Sequence, residues 1–168
     1  ELERLAKALA GGLRFIQIRD KGLAAAERHR LAQAAMALAA PYADARLLIS
    51  DDAALARDCG AHGLHLSAKA LMQSATRPPF EWVGASCHSA QEIDQAVKLG
   101  LDFVLLSPVL PTASHPELPG MGWTEFTRVI ERSPLPVFAL GGMKTEMLDS
   151  ARQHGAHGIA LMRGWSAD

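Results

Sequence analysis

Two groups of residues in this chain are suited to chemistry on a charged ligand. The first is Gln17-Ile-Arg19-Asp-Lys21, which sets an amide and two cations on alternate positions after an apolar start. The second is Ser107-Pro-Val-Leu-Pro-Thr112-Ala-Ser114-His115-Pro116, which sets hydroxyls and an imidazole in a proline-stiffened loop. The run before that loop, Phe103 to Leu106, contains no polar residue. It reads as a strand buried on both faces, as in a parallel sheet. Pro108 and Pro111 exclude helix from the residues after it. Donors held on stiff backbone just past a strand end occupy the place where α/β proteins bind ligands.

The elements that must position these groups show as a short internal repeat. Gly12-Leu-Arg-Phe-Ile-Gln-Ile-Arg19, Gly60-Ala-His-Gly-Leu-His-Leu-Ser67, Gly100-Leu-Asp-Phe-Val-Leu-Leu-Ser107 and Gly155-Ala-His-Gly-Ile-Ala-Leu-Met162 share one plan. Each is a helix-ending glycine, a short link and a strand. Further strands are expected over 46–50, 82–86 and 136–140. Helices are expected over 1–10, 24–39, 67–76, 123–132 and 144–154, with shorter ones after Asp51-Asp52, either of which can cap, and after Ser89. Ser89 and Glu92 have capping-box spacing. Seven strands alternating with helices predict an α/β fold, a (β/α)8 TIM barrel. The chain starts on a helix and stops after a strand, so the first strand and last helix of an eight-fold barrel are missing. Residues 1–168 are therefore read as a single barrel domain and a fragment of a longer polypeptide, short of the ~200 residues or more usual for the fold.

Composition narrows the function classes. The formal charge is −1 with no basic or acidic run, which argues against nucleic acid as a partner. No apolar stretch reaches the ~18 residues of a membrane helix. Cys59 and Cys87 stand in unrelated contexts without metal-type spacing, as in a reducing cytoplasm. Seven histidines invite a zinc reading, but no pair has ligand spacing, and the reading is rejected.

In a barrel the carboxyl ends of all strands face one mouth. The polar residues expected there are Gln17, Arg19, Lys21, Ser50, Asp51, His65, Ser67, Ser86, His88, Ser107, Thr112, Ser114, His115, Gly141, Gly142, Arg163 and Gly164. Cations beside hydroxyls and glycine amides suit a phosphorylated ligand. Gly141-Gly142 and Arg163-Gly164 follow the last two strands, where barrels commonly hold phosphate. Other roles stand beside these. Gln17 and Arg19 also fit an inner polar layer satisfied by Asp51, Asp51 also fits a helix cap, and His65 also fits a hydrogen-bonded core residue. His62, His154 and His157, at helix-to-strand links, are read as surface residues. Cys59 is read as buried and inert, and Cys87 as lying nearer the mouth.

Gln17-Ile-Arg19-Asp-Lys21, Gly63-Leu-His65, Gly84-Ala-Ser86-Cys-His88, the 107–116 loop, Gly120-Met-Gly122 and Ala139-Leu-Gly-Gly142 together resemble the thiamine phosphate synthase family, which includes the thiazole tautomerases. The motif order is kept nearly end to end. The variant is also similar to the synthase-like domain fused behind a Nudix hydrolase domain in some bacterial proteins. The resemblance implies a transferase that joins hydroxymethylpyrimidine diphosphate to thiazole phosphate with release of pyrophosphate. It implies small phosphorylated heterocycles as partners, a fused Nudix domain, and Mg²⁺ as cofactor; a homo-oligomer stays open. By resemblance Gln17, Arg19 and Lys21 hold the pyrimidine diphosphate, Ser50 is a further substrate-binding residue, Asp51 is a Mg²⁺ ligand, and Ser86 sits beside the leaving pyrophosphate; Arg19, Lys21, Ser86 and His115 are the expected catalytic residues. Thr112, Ser114, Gly141, Gly142, Arg163 and Gly164 bind the thiazole phosphate.

The chain departs from the family pattern at four places. The second Mg²⁺ carboxylate is replaced by Ala70, the Asn of an Asn-Asp pair by Ser50, a lysine by His115, and the tautomerase histidine by Ser107. One carboxylate and fewer cations imply a weakened Mg²⁺ site. They leave a metal-independent tautomerase with His115 or His88 as acid and base, or a non-catalytic thiazole or thiamine phosphate-binding domain, as alternatives.

Overall fold

The computed structural model describes residues 1–20, 22–112, 119–162 and 165. All seven expected strands form, and every pairing described is parallel. The chain falls into two compact units.

The first unit contains α1 (Leu2–Ala10), β1 (Phe15–Ile18), α2 (Ala25–Ala39), β2 (Arg46–Ser50), α3 (Ala53–Asp58) and all but the last residue of β3 (Gly63–Leu66). β1 pairs with β2 and β2 with β3. Alternation along the strands divides their side chains between two faces. Ile16, Leu47, Ile49 and Leu64 make one face wholly apolar, and all four are at least nine-tenths buried. The other face carries Gln17, Leu48, Ser50 and His65. Ala32, Ala35 and Ala39 of α2 are buried as well, because alanine lets a helix lie close on a sheet. Gly63 sits under Trp82, where a Cβ would come 2.2 Å from the Trp82 carbonyl oxygen, so no larger residue fits.

The second unit contains α4 (Ala68–Gln73), most of β4 (Trp82–Cys87), α5 (Ala90–Lys98), β5 (Phe103–Leu106), α6 (Gly122–Ile130), β6 (Val137–Ala139), α7 (Leu148–Gln153) and β7 (Gly158–Ile159). Here Ala85, Cys87, Val104, Leu106 and Ala139 share a face and are fully buried. Phe126 of α6, Ile93 of α5 and Ala151 of α7 are buried in the same unit. Phe103 meets Phe138 edge to face with ring centroids 5.9 Å apart, an arrangement that sets a positive ring edge against a negative face.

The repeat holds: Gly12, Gly60, Gly100 and Gly155 all take positive φ at the turn into their strands. The element ends differ from expectation where side chains compete for backbone groups. The helix expected over 67–76 is shorter: Ser67 caps its start by accepting the Ala70 N–H at 3.3 Å, and it ends at the cap Ser74, whose hydroxyl turns back to donate to the Ala70 carbonyl at 2.8 Å. The helix expected over 123–132 is Gly122–Ile130. That expected over 144–154 begins as a 3-10 turn, Thr145–Met147, before α7. Ser89 caps α5 as predicted, but the Glu92 carboxylate reaches back to the His88 N–H. Among the described residues no helix is long and apolar enough to cross a membrane.

Candidate active site

In the first unit the strand ends gather charge. Ser50 lies in register with His65 on the polar face, and Gln17 stands half-buried on β1, across from Leu48. Arg19, one residue past β1, is exposed. Asp51 follows β2 with φ 56 and donates its N–H to the His65 carbonyl at 2.9 Å. Left-handed backbone at a non-glycine residue persists only where its surroundings hold it, and aspartate is among the residues that tolerate it best.

The two adjacent aspartates do different work. Asp52 is the cap of α3: its Oδ1 accepts the Leu55 N–H at 2.9 Å, and its Oδ2 faces Arg28 Nη1 at 3.9 Å. Asp51 is exposed at the turn. The cap that both residues could have supplied is thus taken by Asp52. Asp20 is engaged by the Gly22 N–H at 3.0 Å.

His65 is the buried polar residue of this region, 1% exposed. Burial pushes its imidazolium down to about 4; the Asp51 carboxylate opposes that shift and the Arg19 guanidinium adds to it. The ring is therefore neutral at pH 7, and the core role is the one the fold favours for it.

In the second unit the strand ends carry hydroxyls and glycines. Ser86 of β4 is half-buried, in register with Leu105. Cys87 points to the opposite, buried face rather than toward a strand-end opening, and burial pushes its thiol up to about 12. Cys59, at the end of α3 in the first unit, is half-buried rather than buried, and desolvation again raises its pKa. His88 is exposed, and its Nδ1 lies 3.3 Å from the Glu92 carboxylate. His62 and His154 are half-buried, not surface residues. His62 Nδ1 accepts the Leu47 N–H at 3.1 Å, and His154 stacks on Trp123 with ring centroids 4.9 Å apart. His157 is exposed, as expected.

The proline loop is stitched to its neighbours by backbone bonds. Val109 N–H donates to the Leu140 carbonyl at 2.9 Å and Leu110 N–H to that of Gly141 at 3.1 Å. Met121 and Gly122 N–H groups donate to the carbonyls of Pro108 and Val109 at 3.0 and 2.8 Å. These bonds bring Thr112 and Gly141-Gly142 into one neighbourhood. They also change the reason for the glycines. A Cβ on Gly142 would come 2.7 Å from Leu110 Cβ and from the Pro111 carbonyl oxygen, at φ 69. Close packing of the loop, apart from any phosphate, requires glycine there.

Lys21, Ser114, His115, Arg163 and Gly164 lie outside the described residues. Ala70 sits in the first turn of α4, half-buried, with its N–H on Ser67 Oγ. One residue that the sequence motifs do not single out stands beside the strand ends, Arg28. Glu92, expected from its capping-box spacing to Ser89, also faces the His88 ring. Arg28 has no such signal, because it comes from a helix far along the chain from its partner Asp52.

The donors present set what a cation would require. Among the described residues no group of three or more His, Cys, Asp or Glu side chains converges. The exposed carboxylate at the turn after β2 is that of Asp51, while Asp52 caps α3. Such a site fits Mg²⁺ that arrives with its own oxygen ligands, since this ion is usually held by one or two carboxylates plus substrate phosphates and water. It does not form a closed protein cage.

Residues 1–165 match the family described as thiamine monophosphate synthase. A putative thiamine-phosphate synthase 2 of Aquifex aeolicus is 38% identical over 161 residues, covering 95% of this chain and 86% of the relative. A putative thiamine-phosphate synthase of Geobacter sulfurreducens is 36% identical over 165 residues, covering 96% and 77%. Among solved structures, a thiamine phosphate pyrophosphorylase from Pyrococcus furiosus superposes with a TM-score of 0.80 at 27% identity, covering 96% of this chain and 78% of that one. The fold is the TIM-barrel-like α/β fold expected from the alternation of elements. With its motifs in family order and its strand ends furnished as described, the chain belongs to the thiamine monophosphate synthase family.

Proposed function

We propose that this chain is a transferase of thiamine biosynthesis that couples hydroxymethylpyrimidine diphosphate to thiazole phosphate and releases pyrophosphate. The C–O bond to the diphosphate breaks with both electrons leaving on pyrophosphate. The thiazole nitrogen then donates its lone pair to the resulting pyrimidine cation, forming the C–N bond. The observation that carries this reading is the charged row at the ends of β1 and β2, in a chain that matches the family over residues 1–165.

In this reading Arg19 and Lys21 take the diphosphate, and Gln17 and Ser50 orient the pyrimidine. Ser86 donates to the departing pyrophosphate, where a hydrogen bond strengthens as charge develops. Thr112, Ser114, Gly141, Gly142, Arg163 and Gly164 take the monophosphate of the thiazole. Asp51 holds Mg²⁺ brought by the diphosphate, and the ion supplies charge neutralisation of the leaving group. With Ala70 at the second carboxylate position, Mg²⁺ affinity is low and depends on the diphosphate. A fused Nudix hydrolase domain belongs to the same reading on the sequence resemblance alone; the mass of the polypeptide made from the natural gene decides it.

A second reading is a metal-independent tautomerase of thiazole phosphate. It is favoured by His88, whose Nδ1 faces the Glu92 carboxylate at 3.3 Å. That contact orients the ring and leaves Nε2 to move a proton. His115 is a second candidate for the same task.

Pyrophosphate release from the two substrates, followed with and without Mg²⁺, separates the readings. Coupling that requires Mg²⁺ and drops about 100-fold in Asp51→Asn supports the transferase. Turnover of thiazole phosphate alone, indifferent to Mg²⁺ and lost in His88→Gln, supports the tautomerase. Binding of thiazole phosphate without turnover of either kind leaves a phosphate-binding domain.

A further inference from the structure

One side chain of α2 reaches the strand ends. Arg28 lies in the first turns of α2, and its Nη1 stands 3.9 Å from Asp52 Oδ2, with both side chains about one-third exposed. Among the described residues its buried Nε has no acceptor. Arg28 and Asp52 line a cavity of about 30 Å³ with Arg19, Ser50 and Leu55. Asp52 is at once the cap of α3 and the partner of Arg28. The residue before it, Asp51, is the one held at φ 56, with its N–H on the His65 carbonyl. The turn is thus gripped from one side by β3 and from the other by α2 through Asp52.

We propose that Arg28 is a positioning residue. Acting through Asp52, it holds the Ser50–Asp52 turn in the conformation that presents Asp51, and so sets the affinity of this site for a divalent cation carried by a diphosphate. The inference rests on the proposed function, in which Asp51 binds such a cation. Arg28 itself touches no substrate. Its effect passes along the chain from the Asp52 carboxylate to the strained residue beside it.

The test uses the whole chain with Mn²⁺ as a spectroscopic probe and inorganic pyrophosphate as the diphosphate. Free Mn²⁺ is counted by electron paramagnetic resonance for the natural chain, Arg28→Gln, Arg28→Lys, Asp52→Asn and the Arg28→Gln/Asp52→Asn double variant. Asparagine caps a helix as well as aspartate, so Asp52→Asn removes the charge and keeps the cap. Arg28→Gln and Asp52→Asn are each expected to weaken Mn²⁺ binding about fivefold, the upper end for a partly exposed ion pair. The double variant should be no weaker than either single one, since both remove the same interaction. Arg28→Lys should recover most of the loss.

Weakening in Arg28→Gln with none in Asp52→Asn would overturn the proposal in favour of direct contact between Arg28 and the anion. Unchanged binding in both would remove Arg28 from the site. If the natural chain binds no Mn²⁺ with pyrophosphate, the functional reading fails separately. Arg28 is then judged by hydrogen exchange at the Asp51 and Leu55 amides. Faster exchange in Arg28→Gln and Asp52→Asn sustains its hold on the turn, and unchanged exchange ends it.

Discussion

The ends of β1 to β3 carry an amide, a guanidinium, two neighbouring aspartates and a buried imidazole, whereas the ends of β4 to β7 carry hydroxyls and paired glycines. The first region works through side-chain charge, and both aspartates of its turn are tied to neighbouring backbone. The second works through backbone shape, with four N–H to carbonyl bonds locking the proline loop to its neighbours. The difference matters for the proposed reaction, in which one substrate loses its diphosphate and the other keeps its monophosphate. A diphosphate that departs with extra charge needs cations placed against it. A monophosphate that stays bound needs only fixed donors, which a rigid loop supplies at little entropic cost.

The contrast is most severely tried at Gly142. Gly142→Val puts a β-branched side chain at φ 69 and 2.7 Å from Leu110 and Pro111. A loss of about 3 kcal/mol or more in urea unfolding is expected from strain and overpacking together. Unchanged stability would mean that the second region is not held by backbone packing, and that its glycines serve a ligand after all.

Next in size is the pH response of the first region. Folding lowers the pKa of His65 from 6.5 to about 4, so the unfolded chain binds a proton that the folded chain does not. The stability contributed by the neutral ring is present in full above pH 6.5 and is lost as pH falls toward 4. The loss amounts to about 3 kcal/mol across that window. Unfolding free energies at pH 7 and pH 4.5, compared with those of His65→Gln, measure it. Equal slopes in the two proteins would show that the ring does not stay neutral on folding.

The smallest effects separate the two regions by chemistry. Arg19→Gln should raise KM for the pyrimidine diphosphate about 30-fold, because it removes a charge-assisted contact. Ser86→Ala removes a neutral donor and should cost about fivefold, mostly in kcat if Ser86 meets the departing pyrophosphate. The same loss in both variants would erase the distinction between a charged end and a neutral one.

Much of the fold is legible along the chain, and the particular failures share a cause. Gly60, Gly100 and Gly155 announce the helix-to-strand turns because left-handed backbone is a local demand that glycine meets by itself. Phe103 to Leu106 announces a two-sided strand because burial on both faces leaves no place for a polar residue. The boundaries of α4 and α7 escape such reasoning because one hydroxyl or one 3-10 turn shifts an end by several residues. At the site, Gln17, Arg19, Ser50 and Asp51 are placed at strand ends by position alone, and Glu92 by its capping-box spacing from Ser89. Arg28 is invisible, since nothing within α2 points to a partner in the turn after β2.

The alternation of strands and helices, the parallel sheet that such alternation demands, and the residue types that arrive at the strand ends are all written locally in the chain. These depend on periodicity and on glycine and proline, whose constraints act within a few residues. Which of two adjacent aspartates caps α3, the sealing of His65 as a neutral ring, and the need for glycine at 142 under the packed loop emerge with the folded chain. Each of those depends on which donor, charge or side chain approaches through space, and that is set by packing between elements far apart in the chain.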